Sequence, residues 1–157
     1  MKRTYYALVL GLSLLTSVLL AASPAQAVLG EPAGSVTSDR NALAAIRSTT
    51  TTTHPDFIVQ QAESDMVTVR EYVSPAGIVF AVAWNGMVTP DLTQLLGTYF
   101  GDYREARRQM PRKHGRRSQQ VKTSRVVVET WGHMRDLHGR AYVPALIPSG
   151  VTIDEIK

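Results

Sequence analysis

Cysteine is absent from this chain. Its absence excludes disulfide staples, thiol nucleophiles, thiolate metal sites and redox exchange, and no lipid-modified cysteine can follow a leader. Other absences narrow the field further. No Gly-x-Ser-x-Gly elbow marks a serine hydrolase. No glycine-rich loop carries the lysine and hydroxyl that cradle a phosphate, and none of the established zinc spacings occurs. The longest apolar run, Ala7 to Ala22, is shorter than the ~20 residues that cross a bilayer core.

What is there begins with a leader. Lys2 and Arg3 make a short basic head, the apolar run follows, and Pro24 breaks it. Ala25 and Ala27 then occupy the two positions that a signal peptidase reads. These three parts in this order predict a secretory signal peptide over residues 1–27 and one exported domain over 28–157, in the periplasm or the medium, with no transmembrane anchor after cleavage. A domain of that length buries a sizeable core and folds without disulfides. Losing Lys2 and Arg3 lowers the net charge from +4 to +2. The remaining charge is uneven: Arg104, Arg107, Arg108, Arg112, Lys113, Arg116, Arg117, Lys122 and Arg125 share one stretch with a single acid, Glu105.

Along the expected domain, Leu29 to Ser35 reads as an irregular lead-in. Val36 to Arg47 has the look of a capped helix. The five threonines Thr49 to Thr53 read as a glycosylated or flexible tract or, being β-branched and stiff, as a β-prone segment or linker, which is the favoured expectation. Phe57 to Gln61 reads as a short strand. Met66–Val73 and Ile78–Trp84 read as a hairpin around Ser74-Pro75-Ala76-Gly77. A four-residue loop would set Val69 opposite Val82 and Val67 opposite Trp84. One face would then hold Val67, Val69, Val73, Ile78, Phe80, Val82 and Trp84, with Glu71 its one misfit. The other face of the second strand carries Val79, Ala81 and Ala83, small enough for a helix to approach. Asn85-Gly86 reads as a turn. The expected helix follows, capped by Thr89, with Pro90 and Asp91 in its first turn and Leu92, Leu95, Leu96, Tyr99 and Tyr103 on one side. Gly97 and Gly101 either allow contact with the sheet or, at Gly97, end a short first helix. Met110 to Ser118 reads as a basic loop. Val121–Trp131 and Arg140–Ile147 make a second hairpin around Asp136 to Gly139, with Gly139 supplying a positive φ. The fold class is α+β: an antiparallel sheet built from hairpins with one or two helices on it. Arg70-Glu71-Tyr72-Val73 and Arg140-Ala141-Tyr142-Val143 look alike, though four residues make no repeat.

The chemistry-bearing residues are sparse. His133, Asp136 and His138, with His54 elsewhere, offer nitrogen and oxygen ligands of the kind zinc or copper takes. Hairpin polarity explains them equally well, so no metal and no cofactor is assigned. Glu71 on an apolar face is an acid whose proton affinity burial would raise, but it has no second carboxylate, so no catalytic residue is assigned. The basic stretch is the strongest surface feature. Arg104, Arg107, Arg108, Arg112, Lys113, Arg116 and Arg117 suit an anionic envelope polymer, a lipid headgroup or a protein partner. They also suit a helix C-terminus or a solvated loop. Nucleic acid is not expected, because no aromatic side chains interleave with them to stack on bases.

The order of several motifs resembles a family of short, exported, uncharacterised bacterial proteins, a domain of unknown function. The matching stretches are Leu29-Gly30-Glu31-Pro32, Arg70 to Gly77, Phe80 to Trp84, Pro90-Asp91-Leu92 and Gly139 to Tyr142. The resemblance implies one exported bacterial domain and no established activity or site. The expectation is therefore a non-catalytic binding or envelope-organising module. The alternatives are a small envelope enzyme of hydrolase or lyase type, working through Glu71 or the histidines, and a metal-binding envelope protein. The leader makes the first prediction: expressed in an exporting bacterium, the protein has Val28 at its N-terminus by intact mass and terminal sequencing, and Ala27→Arg blocks that processing.

Overall fold

Alternating apolar residues and tight turns build seven strands among the described residues. The computed structural model describes residues 29–33, 48–111, 115 and 117–157. The expected helix over Val36 to Arg47 and the leader lie outside them. The strands are β1 (Ser48–Thr53), β2 (Ile58–Glu63), β3 (Val67–Val73), β4 (Val79–Gly86), β5 (Ser118–Lys122), β6 (Val127–His133) and β7 (Asp136–Tyr142). All pair antiparallel in one sheet of order β1-β2-β3-β4-β7-β6-β5. Two meanders, β1 to β4 and β5 to β7, therefore meet at one seam between β4 and β7. Between them run α1 (Leu92–Leu96), a 3₁₀ turn over Gly97–Tyr99, and α2 (Phe100–Gln109). The class is α+β, with this helical stretch on one face of the sheet.

The β3–β4 hairpin holds its faces but not the expected register. Val69 lies opposite Trp84 and Glu71 opposite Val82, a shift of two residues. One comes from the loop, which closes with the Ser74 N–H donating to the Ile78 carbonyl at 2.8 Å, so that Val73 pairs with Val79. The other comes from a bulge: Tyr72 pairs with Ala81, leaving Phe80 as the extra residue. A shift of two preserves which side chains share a face. Val67, Val69, Val73, Val82 and Trp84 accordingly stay together. The bulge moves Val79 onto that face and turns Phe80 to the other side, against Tyr72 and Ala81. Glu71 keeps its misfit place and is buried, 8% exposed.

The helix docks on the Val82–Trp84 face, not on Ala81 and Ala83. Leu95, Leu96 and Tyr103 join Val82, Trp84, Val128 and Ala141 in one apolar cluster. Burying a side chain as completely as Leu96 is worth about 1.5–3 kcal/mol. The cap is Asp91, whose carboxylate accepts from the Thr93 N–H at 2.8 Å, rather than Thr89 two residues earlier. Gly97 ends α1 with a φ of 46°, the second of its two expected roles. Gly101 is exposed with no side chain or backbone near its would-be Cβ, so it serves no close packing. The lead-in is more ordered than its composition suggests. Gly30 N–H donates to the Val79 carbonyl, the Val79 N–H donates to the Glu31 carbonyl, and Leu29 is fully buried beside Leu95.

The Ala81–Ala83 face receives the segment 144–157 instead. Here the two look-alike tetrapeptides acquire a meaning. Arg70 and Arg140 both pair with Ala83, and Tyr72 and Tyr142 both pair with Ala81, from opposite sides of β4. Their side chains flank a shallow trough floored by two methyl groups. Ile156 lies in it, fully buried. Arg140 donates to the Ile153 and Ile156 carbonyls at 2.8 and 3.2 Å. The Tyr72 hydroxyl donates to the Lys157 carbonyl and accepts from the Lys157 N–H, both at 2.9 Å. Arg70 donates to Asn85 at 2.7 Å and to the Lys157 carbonyl at 3.3 Å.

The second meander departs most from expectation. The run expected as one strand, Val121–Trp131, is two strands folded at Thr123. The Thr123 hydroxyl accepts from the Arg125 and Val126 N–H groups at 3.2 and 2.9 Å and closes that turn. The β6–β7 turn lies at Met134-Arg135, where Met134 takes a φ of 46°. Asp136 to Gly139 is strand, so β7 begins before Arg140, and it ends at Tyr142 rather than running on to Ile147. Gly139 serves another purpose than a positive φ. It lies opposite Trp84, and a Cβ there would overlap the indole. The Trp84 N–H is buried with no acceptor among the described residues, a cost of about 1–3 kcal/mol that packing offsets.

These contacts can be tested by substitution. Gly139→Ala forces the Trp84 ring to move and lowers stability by about 1–3 kcal/mol, read from urea melts with an unchanged slope. A second test concerns Tyr72 and Tyr142, whose phenols are held above their ordinary pKa by burial. A raised folded-state pKa gives stability that is whole below the unfolded value of about 10 and is lost as pH climbs past it. Tyr72→Phe costs about 0.5–1.5 kcal/mol at neutral pH, and its melts lose less stability above about pH 10 than those of the parent.

Candidate functional site

The basic residues on α2 are set by helical spacing. Positions 104, 107 and 108 fall on one side of a helix. The inner side carries Tyr103, buried, and Ala106. The turn between β5 and β6 secures α2 from below. Arg125 pairs with Asp102 at 3.2 Å and lies over the Tyr99 ring at 4.7 Å. One arginine of the basic stretch thus has its partners within the fold.

Between α2 and the ends of β5, β6 and β7 lies a groove of about 920 Å³. Arg104, Arg107, Arg108 and Arg117 line it, over a floor that includes Leu92, Tyr103, Gln119 and Leu137. Among the described residues, no carboxylate lines it. Arg107 is held by its own helix: it donates to the Tyr103 hydroxyl at 3.2 Å and sits 5.9 Å from that ring. No acid pairs with Arg104, Arg108 or Arg117 among the described residues. Arg107 and Arg108 also complement the negative end of α2. The fold therefore brings together four of the seven basic residues expected to act as a group. Arg112, Lys113 and Arg116 lie outside the described residues.

The groove wall also takes in residues 130–132 and 137–138 of the β6–β7 hairpin. Nothing in the sequence joins these to α2, because the meander that brings them there is closed by the β4–β7 seam. Trp131 is 38% exposed, and its ring stacks parallel on His138 at 5.8 Å. The Arg140 guanidinium stands 5.8 Å from the same ring and pairs with Glu129 at 2.6 Å. Trp131 pairs with His138, so strand alternation turns both rings toward the sheet face away from α2.

The remaining candidates do not converge. His138 Nε2 and Asp136 Oδ1 are 2.8 Å apart, so Asp136 orients that imidazole rather than shaping a turn. His133 lies opposite Asp136 in the pairing register. His54 is at the far end of the sheet, stacked on Phe57 at 4.5 Å. Among the described residues, no group of three or more His, Asp or Glu could hold a metal ion. Strand alternation puts Glu71 on the helix face and His133, Asp136 and His138 on the opposite one. No hydroxyl hydrogen-bonds His138 among the described residues. The arrangement is suited to holding an anion through guanidinium groups, with apolar contact below.

Among the described residues, no helix is long and apolar enough to cross a membrane. Comparison with curated proteins and with solved structures finds no match. Comparison with protein families does find one. The family described as protein of unknown function, DUF2844, matches residues 25–156, nearly the whole described fold, and the chain belongs to it.

Proposed function

We propose that this domain is an exported, non-catalytic binding module of the cell envelope, and that it holds an anionic partner in the groove beside α2. The observation that carries this reading is the groove itself: four arginines around about 920 Å³, with no carboxylate among the described lining residues. Cations gathered without acids repel one another. A fold keeps such a cluster at a cost that an incoming anion relieves. The guanidinium forks match carboxylate, sulfate or phosphate oxygens. Leu92, Leu137 and Tyr103 give apolar contact to whatever bears the charge. The leader expected over residues 1–27 supports placing that encounter outside the cytoplasm.

The test compares two variants of equal charge. Arg104→Gln with Arg108→Gln removes two groove cations. Lys122→Gln with Arg135→Gln removes two exposed cations elsewhere. Binding to an acidic polysaccharide is measured by calorimetry and by elution salt. The groove pair is expected to lose roughly 1.5–3 kcal/mol for each charge-assisted bond removed, and the control pair far less. Equal losses in the two variants would show that net charge, not the groove, does the binding.

A further inference from the structure

We propose that β1 is a pairing edge whose partner is β1 of a second copy of this chain. The sheet has two ends, and they are guarded unequally. At one, β5 carries Lys122, follows Arg117 and lies beside α2. Charge and cover are the usual protections of an unpaired edge. At the other end, β1 has neither among the described residues. Ser48–Thr53 pairs with β2 along all six residues without a bulge. It contains no charge and no proline, and every residue is exposed. It is the terminal strand, and among the described residues nothing takes its outer N–H and C=O groups. Branched threonine side chains hold those groups in extended, ladder-ready order. The edge is adhesive through its backbone while its hydroxyls keep it wettable.

The sequence of β1 argues for a copy of itself. Two identical strands pair antiparallel about an axis perpendicular to the sheet, so the residue on the axis meets its own image. With the axis at Thr51, Thr50 faces Thr52 and Thr49 faces Thr53. With the axis at Thr50, Thr49 faces Thr51 and Ser48 faces Thr52. Either register sets hydroxyl against hydroxyl at every step, a favourable cross-strand pairing. The two sheets would become one, with both helical layers on the same side. The joint lies at the opposite end of the sheet from the basic groove, so each copy keeps its groove open, and this inference stands apart from the reading of the groove.

The protein is purified from an exporting bacterium in the form the cell yields. Sedimentation equilibrium over a concentration series is expected to give twice the chain mass. Thr50→Lys with Thr52→Lys sets the two introduced cations against each other in the Thr51 register. In the Thr50 register it sets the cation at the axis against its own image. That variant is expected to halve the mass with an unchanged circular dichroism spectrum. The chain has no cysteine, so a single introduced thiol reports contact cleanly. Of Thr50→Cys and Thr51→Cys, the one on the axis is expected to yield a disulfide-linked dimer on mild oxidation, while Gln120→Cys on β5 yields none. A wild-type protein of single chain mass at every concentration would overturn the proposal, whether a neighbouring segment or another protein's strand covers the edge. So would a dimer that survives the lysine pair, or cross-linking through Gln120→Cys as readily as through β1.

Discussion

Two alanine methyls in β4 set the terms for everything built around them. Because Ala81 and Ala83 are small, the face they floor is a trough rather than a ridge. The residues beside them on β3 and β7 are the same pair on both sides, an arginine flanking Ala83 and a tyrosine flanking Ala81. The long side chains become walls, and their polar ends reach over the trough to backbone carbonyls at 153, 156 and 157. This lets an irregular segment, with no ladder of its own, cover an apolar sheet face without stranding its peptide groups. The opposite face of the same strand carries Val82 and Trp84 and takes a helix. β4 is buried on both sides because each face meets a different kind of cover.

Much of this is legible in the residues alone. The alternation in Met66–Val73 and Ile78–Trp84 announces the central hairpin, and the three- and four-residue spacing of Leu92, Leu95, Leu96 and Tyr103 announces the helix. The departures have physical causes. A bulge at Phe80 is invisible in an apolar run, since Val, Phe and Ala satisfy either face. The Thr123 turn leaves no mark in the sequence, because a threonine hydroxyl does there what glycine or proline usually advertises. Gly139 reads as a bend, yet its role is to make room for the Trp84 indole on a distant strand, a non-local demand that local propensity does not record.

The candidate site shows the same division. Helical spacing places Arg104, Arg107 and Arg108 together. It does not say that Arg125 pairs with Tyr99 and Asp102, or that Arg117 lines the same groove from the start of the second meander. The histidines illustrate the opposite case. Their closeness in sequence suggests a shared ligand, whereas the actual partners of His138 are an aromatic ring and a carboxylate from its own hairpin. Nearness along a strand pair is not convergence on a point.

The single seam between β4 and β7 has a bearing on how the molecule varies. Every other neighbouring pair of strands is joined by a short hairpin. Only here does a long excursion, through the helices and the basic stretch, return to the sheet. The entropy of closing such a loop grows only with the logarithm of its length, about 0.6 kcal/mol for each doubling. Extra residues between Pro111 and Arg117 would therefore cost the fold little, and both of those flanking residues line the groove. Length can change between those two residues without breaking any strand pair of the sheet.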